Sequence, residues 1–182
     1  MITRPQTLLT MKKAIHITIC IIFLTGCNLI PQKQPAKKIT IAPEITGTWK
    51  LLTMKGIDAS GHIHYPFDRQ VDGLAVFDKQ NNFSIQYYDA ARSSMSHSDP
   101  YYCSDAEIRI AFLSGLSFFG TYDHNADTLT LKIKASGNPN LNNRIERRYC
   151  KMRGDTLLMI APAKKLNAIF LQEHSVWKLV SK

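Results

Sequence analysis

From Thr46 onward the sequence predicts an all-β fold, an antiparallel up-and-down barrel of about eight strands with one short helix. Three observations predict it. Short segments alternate apolar and polar residues with the period of a strand. Turn-forming residues separate those segments at short intervals. A helix-start signature occurs once, at Ser104. A meander of this length closes on itself because closure removes exposed strand edges, and about eight strands leave room for side chains or one small ligand.

Each element has its own local reason. Gly47-Thr48-Trp49-Lys50-Leu51-Leu52 opens the fold as a strand. Gly56 to Gly61, with Asp58 and Ser60, reads as a turn, and His62-Ile63-His64-Tyr65 as a short extended piece. Gly73–Phe77 and Phe83–Tyr88 flank Asp78-Lys79-Gln80-Asn81-Asn82, a hairpin loop of ordinary length. Phe83, Ile85 and Tyr87 share one face of the second strand. Residues 89–102 are polar and serine-rich, a loop or lid.

Ser104-Asp105-Ala106-Glu107 is a capping box, and the helix it starts runs toward Gly115, with Ile108, Ala111 and Leu113 placed to cover a barrel end. Strands resume at Phe118–Tyr122, and Asp123, His124 and Asp127 fall in the expected hairpin turn. Leu129, Leu131, Ile133 and Ala135 alternate with Thr130, Lys132 and Lys134 along Thr128–Ala135. Asn138-Pro139-Asn140 turns the chain into Arg144–Met152, and Gly154-Asp155 turns it into Leu157–Ile160. The last strand is Ile169–Val180, with a kink expected near Glu173.

The first 43 residues read differently. Lys12-Lys13, an apolar run from Ala14 to Leu24, and Leu24-Thr25-Gly26-Cys27 have the order of a lipoprotein signal peptide, with a lipobox at its end. The run is too short for an ordinary membrane-spanning helix, which needs about 20 apolar residues. Residues 1–26 are expected to be removed, and the match is sharper if translation begins at Met11, with residues 1–10 an over-called start. Cys27 is then the lipidation site, and stable anchoring takes more than one acyl chain. Asn28 follows Cys27 in place of an aspartate, which favours the outer membrane facing the periplasm.

Residues 28–43 hold three prolines, three lysines and no aromatic residue. With Cys27 they form a lipidated, flexible tether that reaches on the order of 50 Å. The domains are therefore 1–26 signal, 27–43 tether and 44–182 barrel.

Charge and cysteines sort along the same boundaries. The chain carries a formal +9, but residues 44–182 hold 17 basic and 14 acidic side chains, a net +3. The excess belongs to the export signal and tether, which counts against nucleic acid as a partner. Of four cysteines, Cys20 leaves with the signal and Cys27 takes the lipid. Cys103 and Cys150 remain as an even pair, expected to form a disulfide in an oxidising envelope.

Several short motifs then fall in a recognisable order. Gly47-Thr48-Trp49 opens the domain, Gly73-Leu74 and Phe77-Asp78 follow, and Phe118-x-Gly120-x-Tyr122 lies mid-chain. Pro139-Asn140, Arg148-Tyr149, Gly154-Asp155-x-Leu157 and Val176-Trp177-Lys178-Leu179 complete the series. Over Thr46–Val180 the chain resembles the bacterial lipocalin-like domain family. Leu131 departs from it, standing where many members carry a polar or histidine side chain, and Asn140 is followed by Leu141 and not an aromatic. The resemblance implies a barrel and hints that Arg148 points inward, to meet an anionic ligand group or to close the barrel against Trp49.

No catalytic constellation is visible: there is no G-x-S-x-G elbow, and no cysteine is paired with a base by spacing. No cofactor motif occurs. His62-x-His64 offers two ligands on one strand face, but nothing in the spacing selects a third, so no metal site is expected. Trp49, Phe83, Tyr87, Phe118 and Tyr122, with Trp177, are the candidate lining of an apolar pocket or the filling of a solid core, and Arg148 is the candidate polar handle. The expected function is that of a membrane-anchored lipoprotein binding a small apolar or amphipathic ligand. The alternative is an envelope protein–protein interaction module, an inhibitor or assembly factor, with a filled barrel.

Overall fold

A computed structural model describes residues 44–166 and 169–182. The signal, Cys27 and the tether lie outside these residues. The described strands are β1 (Gly47–Asp58), β2 (Ile63–His64), β3 (Val71–Phe77), β4 (Asn82–Asp89), β5 (Gly115–Asn125), β6 (Thr128–Ser136), β7 (Ile145–Arg153), β8 (Thr156–Ile160), β9 (Lys164–Leu166) and β10 (Ile169–Ser181). They form one sheet in the order β2-β1-β3-β4-β5-β6-β7-β8-β10-β9, and β1 pairs again with β10. Eight strands, β1, β3 to β8 and β10, thus close an antiparallel barrel, with β2 and β9 as short additions. The single α-helix among the described residues, α1 (Asp105–Leu113), joins β4 to β5.

The up-and-down order gives the barrel two distinct ends. At one, β3–β4, β5–β6 and β7–β8 are joined by tight hairpins, and β1 begins beside the end of β10, with Thr48 opposite Ser181. At the other lie the longer connections: residues 59–70, the 90–114 segment with α1, residues 137–144, and residues 161–163 with β9. We call them the closed and open ends.

The inward face follows the alternation of the sequence. Phe83 and Ile85 on β4, Leu129, Leu131 and Ile133 on β6, and Leu157 and Met159 on β8 are all buried. Fully burying a side chain of this size stabilises the fold by roughly 1.5–3 kcal/mol. On β1 the register with β10 shifts between Leu51 and Thr53. The extra residue, Leu52, is exposed, and the shift returns Met54 to the interior beside Trp49 and Leu51. A second shift, between Phe119 and Gly120, brings β5 close to β6. A Cβ at Gly120 would collide with the Lys132 carbonyl, so only glycine fits there.

Most expected elements are present, with four differences. β1 continues to Asp58, because β10 supplies a partner along its whole length. Asp123 and His124 belong to β5, and the turn is confined to Ala126-Asp127, where Ala126 takes a positive φ of 54°. β9 was not expected; it pairs with the first residues of β10. Near Glu173 β10 changes partners, pairing with β9 as far as Leu171 and with β8 from His174 onward.

The capping box forms as read: Ser104 Oγ accepts from the Glu107 amide at 3.3 Å, and Glu107 Oε2 accepts from the Ser104 amide at 2.9 Å. The helix does not seal the barrel, however. None of its residues is buried, and Ile110, Phe112 and Leu113 are exposed. It stands beside the mouth, tied to the preceding loop where the Ser96 amide donates to Glu107 Oε1 at 2.8 Å.

The expected Cys103–Cys150 disulfide is absent; both cysteines are free. Cys103 precedes α1, on the open side, while the Cys150 amide donates to Asp127 O in the closed-end hairpin between β5 and β6. The length of β5 separates the two, far beyond the roughly 7 Å between Cα atoms that a disulfide spans.

Candidate functional site

The aromatic residues singled out in the sequence part company inside the barrel. Trp49, Phe83, Phe118 and Tyr122 pack into the core together with Phe77 and Trp177. Trp49 is 0% exposed, and its Nε1 donates to Ile45 O at 2.9 Å. Phe77 meets Tyr122 edge-on at 5.1 Å between ring centroids, and Phe83 meets Phe118 edge-on at 5.9 Å. The Tyr122 hydroxyl donates to Asp78 O at 2.9 Å, pinning the β3–β4 hairpin across the barrel end. Trp177 Nε1 donates to Ser175 Oγ at 2.9 Å. Trp49, Phe77, Tyr122 and Trp177 fill the closed end, with Phe83 and Phe118 packed on the way to the mouth, and the polar atom of each indole or phenol among them has its partner. Tyr87 alone of the set lines a cavity.

That cavity, about 530 Å³, opens at the other end of the barrel. Its size follows from residue volume. Where the closed end has Trp49, Leu157 and Trp177, β1 and β10 carry Gly56 and Leu171 at the mouth and Ala161 follows directly on β8, and all three line the cavity. Met54, Tyr87 and Leu116 add to the apolar wall, Tyr65, Phe67 and Leu113 of α1 reach its edge, and Lys55 and Lys165 also line it. Such a volume with mostly apolar walls suits a small ligand.

One wall is charged. Arg148 points inward from β7 and is 8% exposed, and its Nη1 donates to Glu173 Oε1 at 2.6 Å. Glu173 lines the cavity. At the rim, Lys164 Nζ binds both oxygens of Glu146, at 2.5 and 2.6 Å, so β7, β9 and β10 present a chain of alternating charges. Burial disfavours the charge on Arg148, but the Glu173 carboxylate, supported by Tyr87 and Glu146, outweighs it and raises the guanidinium's pKa. Burial pushes the Tyr87 phenol's pKa up as well, and Glu173 adds to the shift, so the hydroxyl stays protonated. Arg148 Nε is buried and finds no acceptor among the described residues.

The inward turn of Arg148 agrees with the resemblance, and its partner is Glu173. Its neighbours Arg147, Lys151 and Arg153 are exposed on the outer wall, as alternation requires. Glu173 is the residue missed from the sequence. Its signal was an acid in the inward phase of β10, two residues from Leu171 on one side and Ser175 on the other.

The remaining polar clusters are self-satisfied. Asp58 Oδ2 faces His64 Nε2 at 3.1 Å and His62 Nδ1 at 3.3 Å, and the His64 hydrogen bond, with those from the His62 and Ser60 amides, holds its carboxyl at about 2. No group of three His, Cys, Asp or Glu side chains among the described residues is arranged to hold a metal ion. Cys150 Sγ lies 3.1 Å from His124 Nε2. Burial pushes the thiol up to about 11 and lowers the histidine, so the pair is a neutral thiol donating to imidazole and not an activated nucleophile.

No curated protein is matched by the chain. A family model of the lipocalin-like domain matches residues 46–181, from just before β1 to the last residue of β10. With the closed barrel of eight strands and the motifs that recur along it, this match shows that the chain belongs to the lipocalin-like domain family.

Proposed function

We propose that this protein is a membrane-anchored lipoprotein of the bacterial envelope that holds one small apolar or amphipathic ligand in the mouth of its barrel. The observation that carries the reading is the cavity of about 530 Å³ at the open end, apolar on most of its surface and edged by a few polar side chains. The ligand enters past residues 59–70 and α1, buries its apolar part against Met54, Leu116 and Leu171, and keeps a polar group near Tyr87 and Glu173. Native mass spectrometry after gentle extraction tests this. A bound small molecule is expected, and protein that is always empty and takes up no apolar probe would overturn the reading.

The address is the second half of the proposal. It rests on the order of basic residues, apolar run and lipobox, with Asn28 favouring the outer membrane. Labelling with a tagged fatty acid is expected to mark the protein and to fail for Cys27→Ala. Release of that variant to the soluble fraction supports the anchor, and unchanged membrane association refutes it.

The interaction-module reading keeps one observation of its own. Tyr101, Tyr102, Ile110 and Phe112 form an exposed apolar stretch across the loop and helix beside the mouth, with Tyr101 95% exposed. Crosslinking in intact cells separates the two, since a stoichiometric protein partner at this stretch favours the module.

A further inference from the structure

We propose that the ligand is an amphiphile with a large, hydroxyl-rich head, which leaves the barrel past Leu113 and lies outside it in a polar groove beside α1. This rests on the cavity-binding reading above and adds the place and the chemistry of the head.

The groove is a second cavity, of about 570 Å³, and it begins where the first one ends. Tyr87, Leu113, Gly115 and Leu116 line both. Its floor is formed by β4 and β5 near the open end, where Gln86 stands opposite Ser117 and Tyr88 opposite Gly115. A Cβ at Gly115 would press on the Tyr87 carbonyl at 2.9 Å, so the floor stays bare of a side chain at a point the two cavities share. Ala111 and Phe112 of α1 line one side, and Gly137-Asn138, following β6, line another.

The two spaces differ in chemistry. The barrel cavity is mostly apolar, whereas the groove is lined mostly by polar surface. Gln86 and Ser117 are exposed, and their side chains make no hydrogen bond among the described residues. Asn138 Oδ1 accepts from the Asn140 amide at 3.1 Å, which leaves the Asn138 NH2 to donate. Arg92, the one charged side chain of the lining, lies over the Tyr88 ring at 4.5 Å from its centroid. Amides and a hydroxyl offer both donors and acceptors, and a head carrying several hydroxyls answers both.

The position of α1 fits the same reading. The helix buries none of its residues, and the groove lies against its Ala111, Phe112 and Leu113. A head seated there covers that turn. Lys55, Lys164 and Lys165 line the barrel mouth with Glu173, so an anionic group joining tail to head is accommodated at the rim. A ligand that ended at the rim would leave the groove empty.

Titration calorimetry on ligand-stripped protein tests the proposal with three probes that share one alkyl chain: decanol, decanoate, and decyl maltoside below its micellar concentration. Decyl maltoside is expected to bind tightest, by at least about tenfold over decanol, the gain of about two hydrogen bonds. In the Gln86→Ala, Ser117→Ala double variant, changed only at exposed positions, that advantage should fall by about tenfold while decanol binding is unchanged. Hydrogen exchange in residues 105–113 should slow with decyl maltoside and not with decanol, which reads the head beside α1 directly. Equal binding of decanol and decyl maltoside, tighter binding of decanoate, or an α1 whose exchange ignores the maltoside would overturn the proposal while leaving a binding cavity in place. Binding of none of the three would overturn the cavity reading itself.

Discussion

The closed and open ends of this barrel are made of the same strands with the same alternation, and they come to opposite results. At the closed end the inward residues are the largest available, Trp49, Phe77 and Trp177, and every polar atom among the aromatics is matched to a nearby backbone or side-chain group. At the open end β1 and β10 turn in Gly56 and Glu173 and the chain leaving β8 turns in Ala161, leaving volume and unspent hydrogen-bonding capacity. Residue volume, set strand by strand, divides a solid plug from a binding cavity. One end supplies stability and the other has room for a ligand.

The sharpest way to break this contrast is to damage the plug. Trp49→Ala removes a side chain that is 0% exposed and should cost about 3–5 kcal/mol in chemical denaturation. A loss below about 1 kcal/mol would mean that the closed end does not carry the fold. Next in size is Glu173→Leu, which strands Arg148. It should cost about 3 kcal/mol, whereas the Arg148→Met, Glu173→Leu pair should come close to the native value. Equal losses for the single and double variants would show that the charged wall is structural and contributes nothing separable.

Filling the cavity should separate the ends in the other direction. Leu116→Trp is expected to weaken binding of an apolar probe by roughly tenfold or more while changing stability by no more than about 1 kcal/mol. Thiol chemistry gives a finer reading of the same contrast. Cys103 should react readily with a thiol reagent in the native protein, and Cys150, buried beside His124 with its thiol pushed up to about 11, should react only on unfolding. A Cys103–Cys150 disulfide detected by mass would contradict their separation along β5.

The smallest effect concerns α1. Hydrogen bonds from Ser104 and Ser96 hold the Glu107 carboxyl at about 2, against an ordinary 4.5. A depressed carboxylate stabilises the folded helix start fully above the ordinary value and loses that contribution as pH falls toward the folded one. Hydrogen exchange in residues 105–113 should therefore quicken between about pH 4.5 and 2. Ser104→Ala should quicken it at neutral pH by about fivefold, for a cap worth around 1 kcal/mol. The barrel's own protection should change little in either case.

How much of this was legible beforehand divides along the same two ends. Strand identity and the inward set could be read because alternation is a local pattern, and Phe83, Ile85 and Tyr87 share a face in any β-strand. The capping box could be read for the same reason. Depth along the barrel axis could not, since it depends on which strand lies beside which and with what stagger. Tyr87 and Phe83 are on one strand with one phase, yet only Tyr87 reaches the cavity. Glu173 needed knowledge of its partner on a strand 25 residues away. The cysteine pair failed on the same ground: an even number of thiols says nothing about which end of β5 each one occupies.

The seam between β1 and β10 has a consequence for how the molecule comes to be. Thr48 lies opposite Ser181 and Asp58 opposite Leu171, so the first strand of the barrel and the last are hydrogen-bonded along nearly their whole length. Each hairpin from β3 to β8 can form from neighbouring sequence, but the ring stays open until β10 has been made. Contacts so distant in sequence are costly to bring together and make closure slow. A chain emerging from its N-terminus therefore remains an unclosed sheet, with Trp49 not yet paired to Leu179, until β10 has been made. For a protein with the envelope address proposed above, that delay keeps the polypeptide unfolded enough to be threaded across a membrane.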